Sequence, residues 1–125
     1  MYKKPFIEKL LSEFYFLIEE DYNDIRIAAP TWEIDIIFKS TKHKRIISFH
    51  KTGDDIIVIS ISKLSNLFFR KEIYLHELYR DNDIHCLSLD EENYANKLSK
   101  YAAFMKDKLM PIVRGERWFD ERDFQ

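Results

Sequence analysis

A chain of 125 residues with 46% hydrophobic and 15% aromatic residues fits one domain that buries about two-thirds of its unfolded surface without disulfide or metal. Its net charge of −2, with 34% charged residues, argues against a protein whose main task is gripping phosphate backbones, which needs a basic surplus. Aromatic and β-branched residues run throughout and argue against disorder.

The first helix is predicted from about Pro5 to Glu20. Phe6, Ile7, Leu10, Leu11, Phe14, Leu17 and Ile18 recur at helical spacing with charges between them, and Pro5 suits a first turn. Asp21 to Asp24 is a polar break. Ile25 to Ala29 reads as a short strand ended by Pro30. Trp32 to Phe38 alternates, with Trp32, Ile34, Ile36 and Phe38 on one face and Glu33, Asp35 and Ile37 on the other. Trp32 is therefore expected in the core. Arg45 to Lys51 and Asp55 to Lys63 flank Thr52-Gly53-Asp54, a hairpin signal. Ile47 and Phe49 oppose Ile46, Ser48 and His50 in the first arm. Ile57, Ile59 and Ile61 oppose Ile56, Val58, Ser60 and Ser62 in the second. Connections this short give antiparallel neighbours.

Glu72 to Leu78 reads as a strand, and its Leu75 to Tyr79 part reads equally as a short helix. Ser88-Leu89-Asp90-Glu91 has the form of a capping box. It opens a long helix predicted from Leu89 to Val113, with Tyr94, Leu98, Tyr101, Ala102, Met105, Leu109 and Ile112 as its apolar stripe. Pro111 bends or ends that helix, and Gly115 is the stop signal. Trp118, Phe119 and Phe124 follow in a charged tail. The expected fold is α+β in a single domain over residues 1–125: an N-terminal helix, an antiparallel meander of three to five strands, and a long C-terminal helix. Both helices pack on one sheet face.

Residue chemistry excludes several functions. Two glycines, Gly53 and Gly115, cannot form a phosphate-cradling P-loop or a dinucleotide fingerprint. One cysteine and four scattered histidines give no zinc spacing, so no metal and no cofactor are expected. Cys86 lies between Ile84 and Leu87 beyond His85 and reads as a buried hydrophobe. It allows no internal disulfide and fits a reducing compartment. The opening Met-Tyr-Lys-Lys-Pro leads into an amphipathic segment, not a signal sequence. No apolar run reaches the ~20 residues of a membrane span. A cytoplasmic location without membrane contact is expected.

Charge is unevenly spread. Lys39 to Lys51 holds five Lys or Arg and no acid, and Glu8 to Asp24 holds six acids. Such runs are usually solvated patches; the sharper reading is a pair of docking surfaces. Nucleic-acid binding would want aromatics among the bases, and the only one there, Phe49, belongs to the core face. Glu33, Asp35, Ser48, His50, Ser60 and Ser62 fall on one sheet face. A carboxylate beside His50 can do acid–base work, but a one-sided sheet shows a polar face to water in any case. His43 and His76 are expected at the surface. Trp118, beside Arg117 and Asp120, serves either packing or an interface, where Trp and Arg are favoured.

The C-terminal run Tyr94-Ala95-Asn96-Lys97-Leu98 through Tyr101-Ala102-Ala103-Phe104-Met105 leads into Leu109-Met110-Pro111-Ile112-Val113-Arg114-Gly115-Glu116 and then Trp118-Phe119. A helix, an apolar pair, a Gly followed by an acid and a nearby Trp or Phe resemble the terminal pattern of small bacterial α+β immunity proteins encoded beside polymorphic toxins. Tyr74 to Leu78 resembles the short helix those proteins place after their strands. Pro111 interrupts the helix before the Gly, and Glu116 stands where an Asp is more usual. The resemblance implies a non-catalytic protein that binds a cognate toxin, often a nuclease, and blocks it. It implies fixed acids facing a basic toxin surface, with Glu19, Glu20, Asp21 and Asp24 first and Glu33 and Asp35 next. The alternative is a homodimeric interaction module using the exposed sheet or tail, and a third reading is a small enzyme built on Glu33, Asp35 and His50.

Overall fold

The computed structural model describes residues 3–52, 56–64, 72–78 and 93–124. The N-terminal helix is broken once, into α1 (Lys3–Glu13) and α2 (Tyr15–Glu19). Five strands follow: β1 (Asp24–Ala28), β2 (Ile34–Ser40), β3 (Arg45–Lys51), β4 (Ile57–Lys63) and β5 (Glu72–Tyr74). They form one antiparallel sheet in the order β1-β2-β3-β4-β5. Next come α3 (Leu75–Leu78), α4 (Tyr94–Lys108), α5 (Met110–Val113) and a 3-10 turn, Glu121–Phe124. The fold is the expected α+β meander. The apparent conflict over residues 72–78 resolves as a strand followed directly by a helix. The Ser88 capping box, the Gly53 turn, Cys86 and His85 lie outside the described residues. Among those residues no helix is long and apolar enough to cross a membrane.

Period-two alternation decides which side of the sheet is dry. Ile36, Phe49 and Ile59 form one cross-strand row, and Phe38, Ile47 and Ile61 the next. All six are buried in one cluster with Phe6, Leu10, Phe14 and Leu17 from the N-terminal helices and Leu98, Tyr101 and Met105 from α4. Ring packing centres on Phe49, whose centroid lies 4.6 Å from Phe14 and 5.6 Å from Phe38, both edge-on. The two main helices also meet each other. Ser99 donates to Glu13 (2.9 Å) and Phe6 packs beside Tyr94 (5.9 Å between ring centroids).

Three expectations need correction. The first helix does not run unbroken to Glu20. The Leu17 amide bonds back only three residues, to Phe14 (3.0 Å), and this tightened turn reaims the chain while Phe14 stays fully buried against Phe49. Trp32 is not a core residue and is 64% exposed. Strand β2 starts two residues later, at Ile34, because Pro30 to Glu33 is a turn: the Glu33 amide donates to the Pro30 carbonyl (2.9 Å) and Thr31 takes φ +49°. Trp32 thus stands outside the alternation that would have buried it. The polar sheet face is also not wet throughout, since Ser60 and Ser62 are only 3% and 5% exposed.

Truncating Phe49 to Ala should cost about 3–5 kcal/mol, whereas Trp32→Ala should stay within about 0.5 kcal/mol of the parent. Urea unfolding midpoints of the two variants check the contrast, and equal costs would contradict the inside–outside assignment.

Candidate functional site

The residues proposed for partner binding divide between the two ends of the sheet. At one end the β1–β2 turn carries Trp32 and Glu33, both exposed. Lys3 of α1 holds this turn by donating from Nζ to the carbonyls of Ala29 (3.0 Å) and Thr31. A shallow recess of about 340 Å³ lies against Pro30, Thr31, Trp32 and Glu33. Just inside it Asp35 and His50 are direct cross-strand partners, and Asp35 Oδ1 accepts a hydrogen bond from His50 Nδ1. Both side chains are more than a third exposed. A carboxylate in this position fixes the ring and its tautomer.

The other end holds Glu20, Asp21, Asp24 and Trp118. Glu19 is exposed at the end of α2. Glu20 accepts both arms of the Arg114 guanidinium, at 3.1 and 2.8 Å. That hydrogen bonding holds its carboxyl below the ordinary value of 4.5, against a weaker opposing effect of burial. Asp21 pairs with Lys42 (3.1 Å), and its Oδ2 stands 3.9 Å from His43 Nε2. Asp24 lies 3.6 Å from Arg26. Much of the acidic charge expected to face a partner is therefore already matched within the chain. His43 is mostly buried instead of lying at the surface, with a side chain only 12% exposed. His76 is half-buried and stacked on Tyr74 (5.6 Å).

A basic cavity opens beside these acids. The β2–β3 turn, the start of β3, the end of β4 and the segment after α5 line an open recess of about 360 Å³. Its cationic lining comprises Lys42, Lys44, Arg45, Lys63, Arg114 and Arg117, with Trp118 alongside. Arg45 and Lys63 reach it because they are direct partners across β3 and β4. Arg45 is 5% exposed. Its Nε donates to the Ile112 carbonyl, Nη1 to that of Lys44 and Nη2 to that of Arg117, each at 3.1 Å. Its guanidinium lies 4.9 Å from the centroid of the Trp118 ring, a cation–π distance. Arg117 in turn grips Asp123 with two bonds of 3.0 Å, fixing the tail. Trp118 therefore packs on the domain and borders the cavity at once. The short solvated run Lys39 to Lys51 is only partly solvated, because Arg45 and Lys51 are buried.

Gly115 closes the helix end at φ +72°. The amides of Gly115 and Glu116 bond back to Ile112 (3.0 Å) and Pro111 (2.9 Å), as a C-terminal cap requires. A Cβ here would stand 2.9 Å from the His43 carbonyl oxygen. The chain matches no protein-family model, no curated protein and no solved structure. Among the described residues no group of three or more His, Cys, Asp or Glu stands ready to hold a metal ion. Sequence reasoning placed Trp32 in the core and did not identify the basic cavity. Pro30 three residues before Glu33 was the available signal for the first; the basic run Lys39 to Lys51 was a partial signal for the second, supplying Lys42, Lys44 and Arg45, while Lys63, Arg114 and Arg117 join them only through strand register and the final turn.

Gly115→Ala should cost about 1–2 kcal/mol from left-handed backbone alone, and more from the His43 contact; thermal or urea unfolding measures it. Glu20 has a lowered folded pKa, so its contribution is present above the unfolded value and is lost as pH falls through the folded one. Glu20→Gln should therefore show a shallower loss of stability than the parent between about pH 5 and pH 3. Parallel acid titrations of stability, followed by circular dichroism, check this.

Proposed function

We propose that the protein is a non-catalytic protein-binding domain, an immunity-type inhibitor that neutralises a cognate bacterial toxin by direct contact in the cytoplasm. The observation that carries this reading is Trp32, 64% exposed on a turn that Lys3 ties to α1. A backbone already fixed in its turn has less entropy to lose on docking, and tryptophan is among the residues that dominate binding energy. Glu33 beside it and the Asp35–His50 pair next along the sheet supply polar contacts around that anchor. Acids at such a rim favour encounter with a basic partner. Glu20, Asp21 and Asp24 are weaker contributors to this contact, since each stands near an internal cation.

A second reading, a homodimer, is favoured by strand β1. It is an edge strand of the sheet, with Ile27 46% exposed, and an open strand edge can pair with another copy. Solution mass across a concentration series separates the two.

The direct test is co-purification with the inactivated product of the adjacent reading frame. A one-to-one complex is expected, and Trp32→Ala should weaken it by about 2 kcal/mol or more, roughly 30-fold. Absence of a complex between folded, soluble proteins would overturn the reading.

A further inference from the structure

The basic cavity at the sheet end opposite Trp32 has a charge balance that asks for a ligand. Three of its cations are matched internally: Lys42 by Asp21, Arg114 by Glu20 and Arg117 by Asp123. The other three are not. Among the described residues Lys44, Arg45 and Lys63 make no ion pair with a carboxylate. Arg45 has five N–H donors, and three are taken by carbonyl oxygens. Two remain beside the cavity that the residue lines. Lys63 holds its ammonium 5.8 Å from the Trp118 ring centroid, and Lys44 is exposed at the rim. The open recess has a volume of about 360 Å³, within the range of small-molecule sites, roughly 300–1,000 Å³.

We infer that this cavity is a binding site for a small phosphoryl anion, held by Arg45 at its floor and by Lys44 and Lys63 at its walls. The charge count selects the class. A single carboxylate would leave most of the positive charge unmatched, whereas a phosphate monoester carries about −1.5 to −2 at neutral pH and presents three acceptor oxygens. The N–H left over on each Nη of Arg45 gives charge-assisted donors for such oxygens. Burial of Arg45 raises the value of the contact, because an anion there meets a cation poorly screened by water. The overall acidity of the chain is no obstacle, since the site needs only local charge. Free phosphate, pyrophosphate and an organic phosphate ester share this chemistry.

Isothermal titration calorimetry at fixed ionic strength, with orthophosphate, pyrophosphate and adenosine monophosphate as probes and acetate as monoanion control, tests the inference. At least one phosphoryl probe should bind with Kd below about 1 mM, and acetate should not. Tightest binding of orthophosphate or pyrophosphate would assign the site to free phosphates; tighter binding of the monophosphate ester would assign it to an organic ester lying toward Trp118. Lys44→Gln with Lys63→Gln should weaken binding about tenfold or more, and Lys106→Gln, outside the cavity, should not change it. Lys44→Gln alone, at an exposed position, provides the same reading with a smaller loss if the double variant folds poorly. No heat from any phosphoryl probe up to about 10 mM, equal binding of acetate, or binding unchanged in the lysine variants would overturn the inference.

Discussion

The last helical turn ends inside the protein, and its carbonyl groups must be satisfied there. Ile112 and Val113 are fully buried, and a helix leaves its final carbonyls without partners in the helix. Two distant parts of the chain supply the donors. Tyr22, just past α2, donates from its hydroxyl to the Val113 carbonyl (2.6 Å). Arg45, the first residue of β3, donates to Ile112 (3.1 Å). Burial pushes the Tyr22 hydroxyl well above its ordinary pKa, so it stays protonated and keeps donating. These two bonds join the N-terminal segment, the sheet and the C-terminal helix at one point. Losing the Tyr22 bond would leave the buried Val113 carbonyl unpaired, which costs more than an average hydrogen bond contributes, whereas the Ile112 carbonyl also accepts from the Gly115 amide (3.0 Å).

Arg45 carries this constraint into function. Its partners are carbonyl oxygens, which satisfy three of its five donors without cancelling its charge. A cation buried without a carboxylate is expensive, and desolvation does lower its pKa. The compensation is distributed over three carbonyls and the face of Trp118. The same contacts fix the start of the tail, where Arg117 and Trp118 form one wall of the basic cavity. Structural demand and ligand chemistry thus converge on one guanidinium, while the proposed protein-binding turn at Trp32 sits at the far end of the sheet and is free to vary independently.

Where a feature depended on local periodicity, it could be read in the sequence. Strand β3 spans Arg45 to Lys51 as its alternation indicates, and Phe49 sits in the core because it shares a face with Ile47. The Asp35–His50 pair followed from the same register. Where a feature depended on one backbone angle, it was hidden. Thr31 at positive φ moves the start of β2 and turns Trp32 from core to solvent. The break at Phe14 has no proline or glycine to announce it. The cavity was hidden for another reason: Arg45, Lys63 and Arg117 are far apart in sequence, and their convergence depends on tertiary structure. The acids near Asp21 looked available because their partners, Lys42 and Arg114, are brought to them only by folding.

The most direct test of this account is amide hydrogen exchange on Arg45→Lys, which keeps the charge but loses the planar fork. If Arg45 anchors the helix end and the tail, amides from Arg114 to Phe124 should lose protection while those of β2, β3 and β4 keep most of theirs. Protection of the tail equal to that of the parent would contradict the central role given to this residue.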